Sequence, residues 1–121
     1  MTITINKKNY DLHFGLDFIA YLDKKYHINE GGFQLGQGLT YTVAQIELGN
    51  PVILLDLIAA ATATGTKPKP EDIKTFVETN EDIEGLMNGF LSQLEKSPTT
   101  KFTMKKLGLL MAEEATKKQK K

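Results

Sequence analysis

The chain is 121 residues long, carries no cysteine and has a formal net charge of zero, with 15 acidic side chains against 15 basic ones. Its length fits one domain with a buried core, and the missing cysteines exclude a disulfide framework, a thiolate metal site and a cysteine nucleophile, in keeping with a reducing compartment. Every basic residue is a lysine, so the bidentate arginine contacts that dominate phosphate and base recognition are missing, which argues against a nucleic-acid partner.

The opening "MTITINKKNYDLHF" alternates. Ile3 and Ile5 face one way and Thr2 and Thr4 the other. After "NKKN", Tyr10, Leu12 and Phe14 share a face opposite Asp11 and His13. Period-two alternation around a polar turn predicts a β-hairpin over residues 2–14. A lone hairpin is marginal in water, so its apolar face needs a cover. The same stretch lacks the basic start and long apolar run of a signal peptide, and none is expected.

The remainder reads as helix. "GLDFIAYLDKKYHI" sets Phe18, Ile19, Leu22 and Tyr26 along one stripe. "NEGG" breaks the chain, and the glycine-rich "GGFQLGQG" reads as a hinge or loop, since no Lys-Ser/Thr follows it to make a phosphate loop. From Leu35 the pattern Leu35, Leu39, Val43, Ile46 predicts a helix ending at Gly49. Gly36 and Gly38 leave its first turn either frayed or close against a neighbour.

Asn50-Pro51 is a start signal, because asparagine caps and proline tolerates the first helical position. The helix it opens, roughly Pro51 to Ala63, is apolar on nearly every side. It is too short to span a bilayer, which takes about 20 apolar residues, and Asp56 interrupts it. Such a helix is central in its fold or covered by a partner. Asp56 then needs a partner of its own or a seat in solvent.

"TGTKPKP" is a linker. Pro70 opens the next helix, with Glu71 and Asp72 in the first turn, where the helix dipole favours acids, and Ile73, Phe76 and Val77 on its apolar edge. In "TNEDIEGLMNGFLSQLEKS" the residues Ile83, Leu86, Met87, Phe90, Leu91 and Leu94 follow helical spacing. Thr79 is the expected cap, with Asp82 completing a capping box. "SPTT" stops this helix. A last one starts near Thr100, with Met104, Leu107, Leu110 and Met111 as its stripe, and frays into a Lys-rich tail over residues 112–121. The expected fold is therefore mainly α: a compact bundle of about five or six helices with a short N-terminal β-hairpin, forming one domain over residues 1–111.

Catalytic and metal-binding patterns are missing. His13 and His27 are isolated and lack ligand spacing, neither Ser92 nor Ser97 sits in a nucleophile elbow, and the six carboxylates between Glu71 and Glu84 fall at helix starts, where capping and the dipole explain them. No enzyme activity, cofactor or metal is expected. Charge is unevenly spread. The first hundred residues hold 13 acidic and 8 basic side chains, while residues 101–121 hold 7 lysines against Glu113 and Glu114. An acidic body and a basic end allow copies to stack tail to body, an association that salt would weaken.

The stretch "LTYTVAQIELGNPVILLDLIAAAT" resembles the small tail assembly chaperones of long-tailed phages and prophages of Gram-positive bacteria. So do "YDLHFGLDFIAYLDKKY", "DIKTFVETNEDIEGLMNGFLSQLEKSPTTKF" and the lysine-rich end, so that the resemblance covers nearly the whole chain. It implies a protein of the bacterial host's cytoplasm that coats the helical tape measure protein, keeps it soluble, helps recruit tail tube subunits, and leaves before the virion is complete. It also implies a longer product, made by programmed frameshift, that recruits the tube protein. A partner with long apolar helical stripes calls for an apolar surface here. The surplus apolar residues of the central helix and the helix before it are the candidates: Tyr41, Ile46, Leu48, Val52, Ile53, Leu54, Leu57 and Ile58. The alternative for these residues is ordinary core, and the alternative for the protein is a tail or head–tail component retained in the virion.

Overall fold

The structure, a computed structural model, describes residues 1–108. Its elements in chain order are β1 (Thr2–Ile5), β2 (Lys8–Asp11), α1 (Leu16–Lys25), β3 (His27–Glu30), β4 (Phe33–Gly36), α2 (Gly38–Glu47), α3 (Ile53–Ala61), α4 (Pro70–Glu78) and α5 (Ile83–Lys96). A sixth helix, α6, occupies 101–108. The expected mainly α bundle with an N-terminal hairpin is what forms. Leu110, Met111 and the Lys-rich tail lie outside the described residues.

The first hairpin pairs Ile3 with Tyr10 and Ile5 with Lys8. Asn6 and Lys7 make its two-residue turn, both at positive φ (50° and 65°). That geometry matches the strands' twist and is tolerated by asparagine, so the turn forms without the usual glycine. Ile3, Ile5, Leu12 and Phe14 are buried. The ladder runs on past β2 through the Leu12 N–H to the Met1 carbonyl (2.8 Å), and the His13 N–H then bonds the Ala61 carbonyl at the end of α3 (2.9 Å). The cover the hairpin needs is thus the helical layer. Phe14 meets Phe18 and Phe90 edge-on at centroid distances of 5.1 and 5.9 Å.

A second hairpin corrects the sequence reading. Leu35 does not begin a helix; it pairs with Ile28 across β3 and β4. Gly31 and Gly32, at φ 55° and 85°, supply the turn that "NEGG" and "GGFQLGQG" conceal. Helix α2 begins only at Gly38, where the chain passes so close to α1 that a Cβ would overlap the Leu22 backbone. The Gly38 N–H donates to the Asp23 carboxylate (2.9 Å), fixing that approach.

Helix α3 is the centre of the fold. It packs on α1, α2 and α4. Ile53, Leu54, Leu57, Ile58, Ala60 and Ala61 are all buried, and each large side chain among them contributes about 1.5–3 kcal/mol relative to exposure. The α4–α5 junction also differs in detail from expectation. Thr79 closes α4, its hydroxyl bonding the Thr75 carbonyl (2.7 Å), and Asp82 itself caps α5 by accepting from the Gly85 N–H (2.9 Å). Thr79 cannot cap α5 because its backbone still belongs to the last turn of α4. The C-terminal segment is tied back by Thr99, whose hydroxyl bonds the Phe14 carbonyl, and by buried Thr100, whose hydroxyl bonds the Leu94 carbonyl (2.6 Å).

Candidate partner-binding surface

Five residues form the corner between α2 and α3, and Asn50 organises it. Gly49 takes a left-handed φ of 74°. Its N–H bonds the Ile46 carbonyl and the Asn50 N–H bonds the Gln45 carbonyl, both at 2.9 Å. This is the paired closure in which glycine ends a helix without Cβ strain. The Asn50 side chain then works in both directions. Its amide donates to the Gln45 carboxamide (2.8 Å), and its Oδ1 accepts from the Val52 N–H (3.2 Å). Helix α3 opens through a tight turn, with the Leu54 N–H on the Pro51 carbonyl (3.1 Å). Asn50-Pro51 thus acts ahead of the helix and not as its cap: the Asn50 side chain closes a turn on the Val52 N–H, and α3 begins at Ile53 with no side-chain cap.

The candidate residues divide at this corner. Ile46, Ile53, Leu54, Leu57 and Ile58 lie in the core of the monomer. Leu48 and Val52 stand out from the corner, 78% and 63% exposed, and Tyr41 is 40% exposed. The Tyr41 ring stacks on Tyr26 at 4.1 Å. The structure brings the exposed Leu48 and Val52 to the two sides of one turn. Tyr41 sits nearly two helical turns earlier on α2.

Asp56 is buried and has two partners that the sequence did not reveal. The Lys25 ammonium and the Tyr26 hydroxyl both donate to its carboxylate. Burial, reinforced by the bond to Asp56, pushes the Tyr26 phenol above the ordinary tyrosine range. The hydrogen bond to Asp56 raises Lys25, against a smaller opposing effect of burial. A lone acid in an apolar helix is itself the signal for such a pair, but nothing in the spacing says which residues supply it.

An apolar groove of about 430 Å³ lies where the linker enters α4, lined by Tyr21, Leu55, Ala59, Pro68, Pro70 and Ile73. Its prolines and glycine mark "TGTKPKP" as a connector, and nothing in that composition points to a groove. Among the described residues no group of three or more His, Asp or Glu side chains is placed to hold a metal ion, and no helix is long and apolar enough to cross a membrane.

A family model described as phage tail assembly chaperone protein, TAC, matches residues 2–108. The chain belongs to this family. The match takes in every element described above, both hairpins included, so the whole fold and not one motif carries the assignment. No curated protein and no solved structure matches the chain significantly. As a tail assembly chaperone it acts while phage tails are being built, and tail proteins are its natural class of partner.

Proposed function

We propose that the chain binds the tape measure protein and keeps it soluble until tail tube subunits assemble around it. It does this in the cytoplasm of the bacterial host and does not remain in the mature virion. A longer, frameshifted form recruits the tube protein. The observation that carries this reading is the α2–α3 corner, where a tail assembly chaperone leaves Leu48 and Val52 in solvent on one turn. Exposed aliphatic side chains on a rigid corner suit an apolar stripe on a partner helix. Tyr41 extends this surface along α2. Ile46, Ile53, Leu54, Leu57 and Ile58 serve it from beneath by holding the corner in place.

Co-expression with the large helical protein encoded just downstream tests the proposal. The wild-type chain is expected to bring that protein into the soluble fraction and to copurify with it. The double variant Leu48→Glu, Val52→Glu is expected to fold and to lose both effects. A folded double variant that solubilises the partner as well as wild type would remove the corner from the proposal. Failure of the wild-type chain, alone and with the longer form, together with its presence in purified particles, would replace chaperone action by a role in the virion.

A further inference from the structure

The groove at the entry to α4 has no carboxylate among the described residues that line it. This sets it apart in a body whose first hundred residues hold 13 acidic side chains against 8 basic ones. The charge on its lining is Lys67, which is exposed. Among the described residues the lysines in ion pairs are Lys25 and Lys74, so Lys67 is not neutralised there. Little is lost when the walls are dried. Pro68 and Pro70 carry no N–H, and the Thr62 hydroxyl is already bonded to the Ile58 carbonyl (2.8 Å). Leu55, Ala59 and Ile73 add apolar side chains.

The groove continues the α2–α3 corner. Val52, whose backbone is already helical (φ −59°, ψ −31°), stands with Leu55 and Ala59 at i, i+3 and i+7, on one face of α3. Val52 is exposed, and Leu55 and Ala59 are half-buried. Leu54, Leu57 and Ile58, on the other faces, are buried. The side of α3 left uncovered therefore runs from the corner into the groove and is apolar throughout. Val52 and Ala59 lie about 10 Å apart along the axis, two helical turns. A second helix laid along α3 meets both places with side chains seven residues apart.

We propose that this groove takes an aliphatic side chain from an amphipathic helix of the tape measure protein, with an acidic residue of that helix facing Lys67. A second aliphatic side chain, seven residues away, rests on Val52. The inference rests on the proposed function and narrows it to a recognition rule: two aliphatic anchors at i and i+7, and a carboxylate beside the one that enters the groove. The charge selects among apolar stripes, because a lysine in the same place on the partner meets Lys67 with like charge. One side chain in the groove makes too small a contact to hold the partner alone, so it adds to the corner and does not replace it.

The test is fluorescence anisotropy of labelled, overlapping peptides of about 28 residues, roughly eight helical turns each, spanning the large helical protein encoded just downstream. They are titrated with the full chain, and copurification of that whole protein is followed in parallel. The tightest peptides are expected to carry the i, i+7 aliphatic pair with an acidic residue beside it. Ala59→Phe fills the groove and is expected to weaken them at least about tenfold. Lys67→Glu alters an exposed side chain, is expected to keep the wild-type circular dichroism spectrum, and should weaken them about fivefold. Replacing the peptide's acid by lysine should restore binding to Lys67→Glu while weakening binding to wild type, a reversal that a merely structural role of Lys67 does not produce. Should Ala59→Phe fail to fold, Lys67→Glu and its reversal decide alone. If wild type copurifies the downstream protein but both variants bind every peptide as wild type does, the groove proposal is overturned and the proposed function stands. A Lys67→Glu loss that the reversed peptide does not restore also overturns it. If wild type neither copurifies that protein nor binds any peptide, both fall.

Discussion

Asp56 is the one charge in the most apolar helix of the chain, and its two donors come from the end of α1. Lys25 and Tyr26 both hold their protons more tightly in the folded protein than in the unfolded chain. For both, the folded pKa lies above the unfolded one. The stability they confer is therefore complete below about pH 10 and is lost as pH rises through their folded values. Urea midpoints should be flat from neutral pH to about pH 9 and fall steeply above about pH 10. Asp56→Asn should lower stability at neutral pH, because the Lys25 ammonium and the Tyr26 hydroxyl lose their charged acceptor. It should also make the alkaline fall shallower without abolishing it, since burial alone still raises the Tyr26 phenol. An alkaline slope identical in the two proteins would show that the trio does not control it.

At the scale of elements, the α2–α3 pair separates residues that sequence alone could not. Every large residue of "GNPVILLDLI" is apolar, so hydropathy gave Val52 and Leu57 the same weight. The structure buries Leu57 completely and leaves Val52 63% exposed. Leu57→Ala should cost about 2–5 kcal/mol, whereas Leu48→Ala and Val52→Ala should each stay within about 0.5 kcal/mol of wild type. Thermal melts of the three variants would reveal the contrast, and a Val52→Ala loss as large as that of Leu57→Ala would place Val52 in the core. The helices themselves were legible because start signals and periodicity agree: Asn50-Pro51, Pro70 and the stripe from Ile83 to Leu94 each give local and long-range signals for the same element. The second hairpin was legible in principle. Gly31-Gly32 between two four-residue runs is a hairpin signal, but the apolar spacing from Leu35 onward imitated a helix and won. What stayed hidden depends on distant partners: the Asp56 trio and the groove beside α4 need α1 or α4 to arrive before they exist.

At the scale of the molecule, a chain of 121 residues faces a partner that the proposed function makes far longer than itself. A corner formed by Leu48 and Val52 offers little area, and small interfaces bind weakly. A contact this small has nothing in reserve once charge enters it, so Leu48→Glu with Val52→Glu should abolish copurification of the tape measure protein at any chaperone concentration. Titrating wild type and the double variant into a fixed amount of partner, and following the soluble fraction, checks this. A double-variant curve with the wild-type midpoint would mean that the corner has no part in loading the partner.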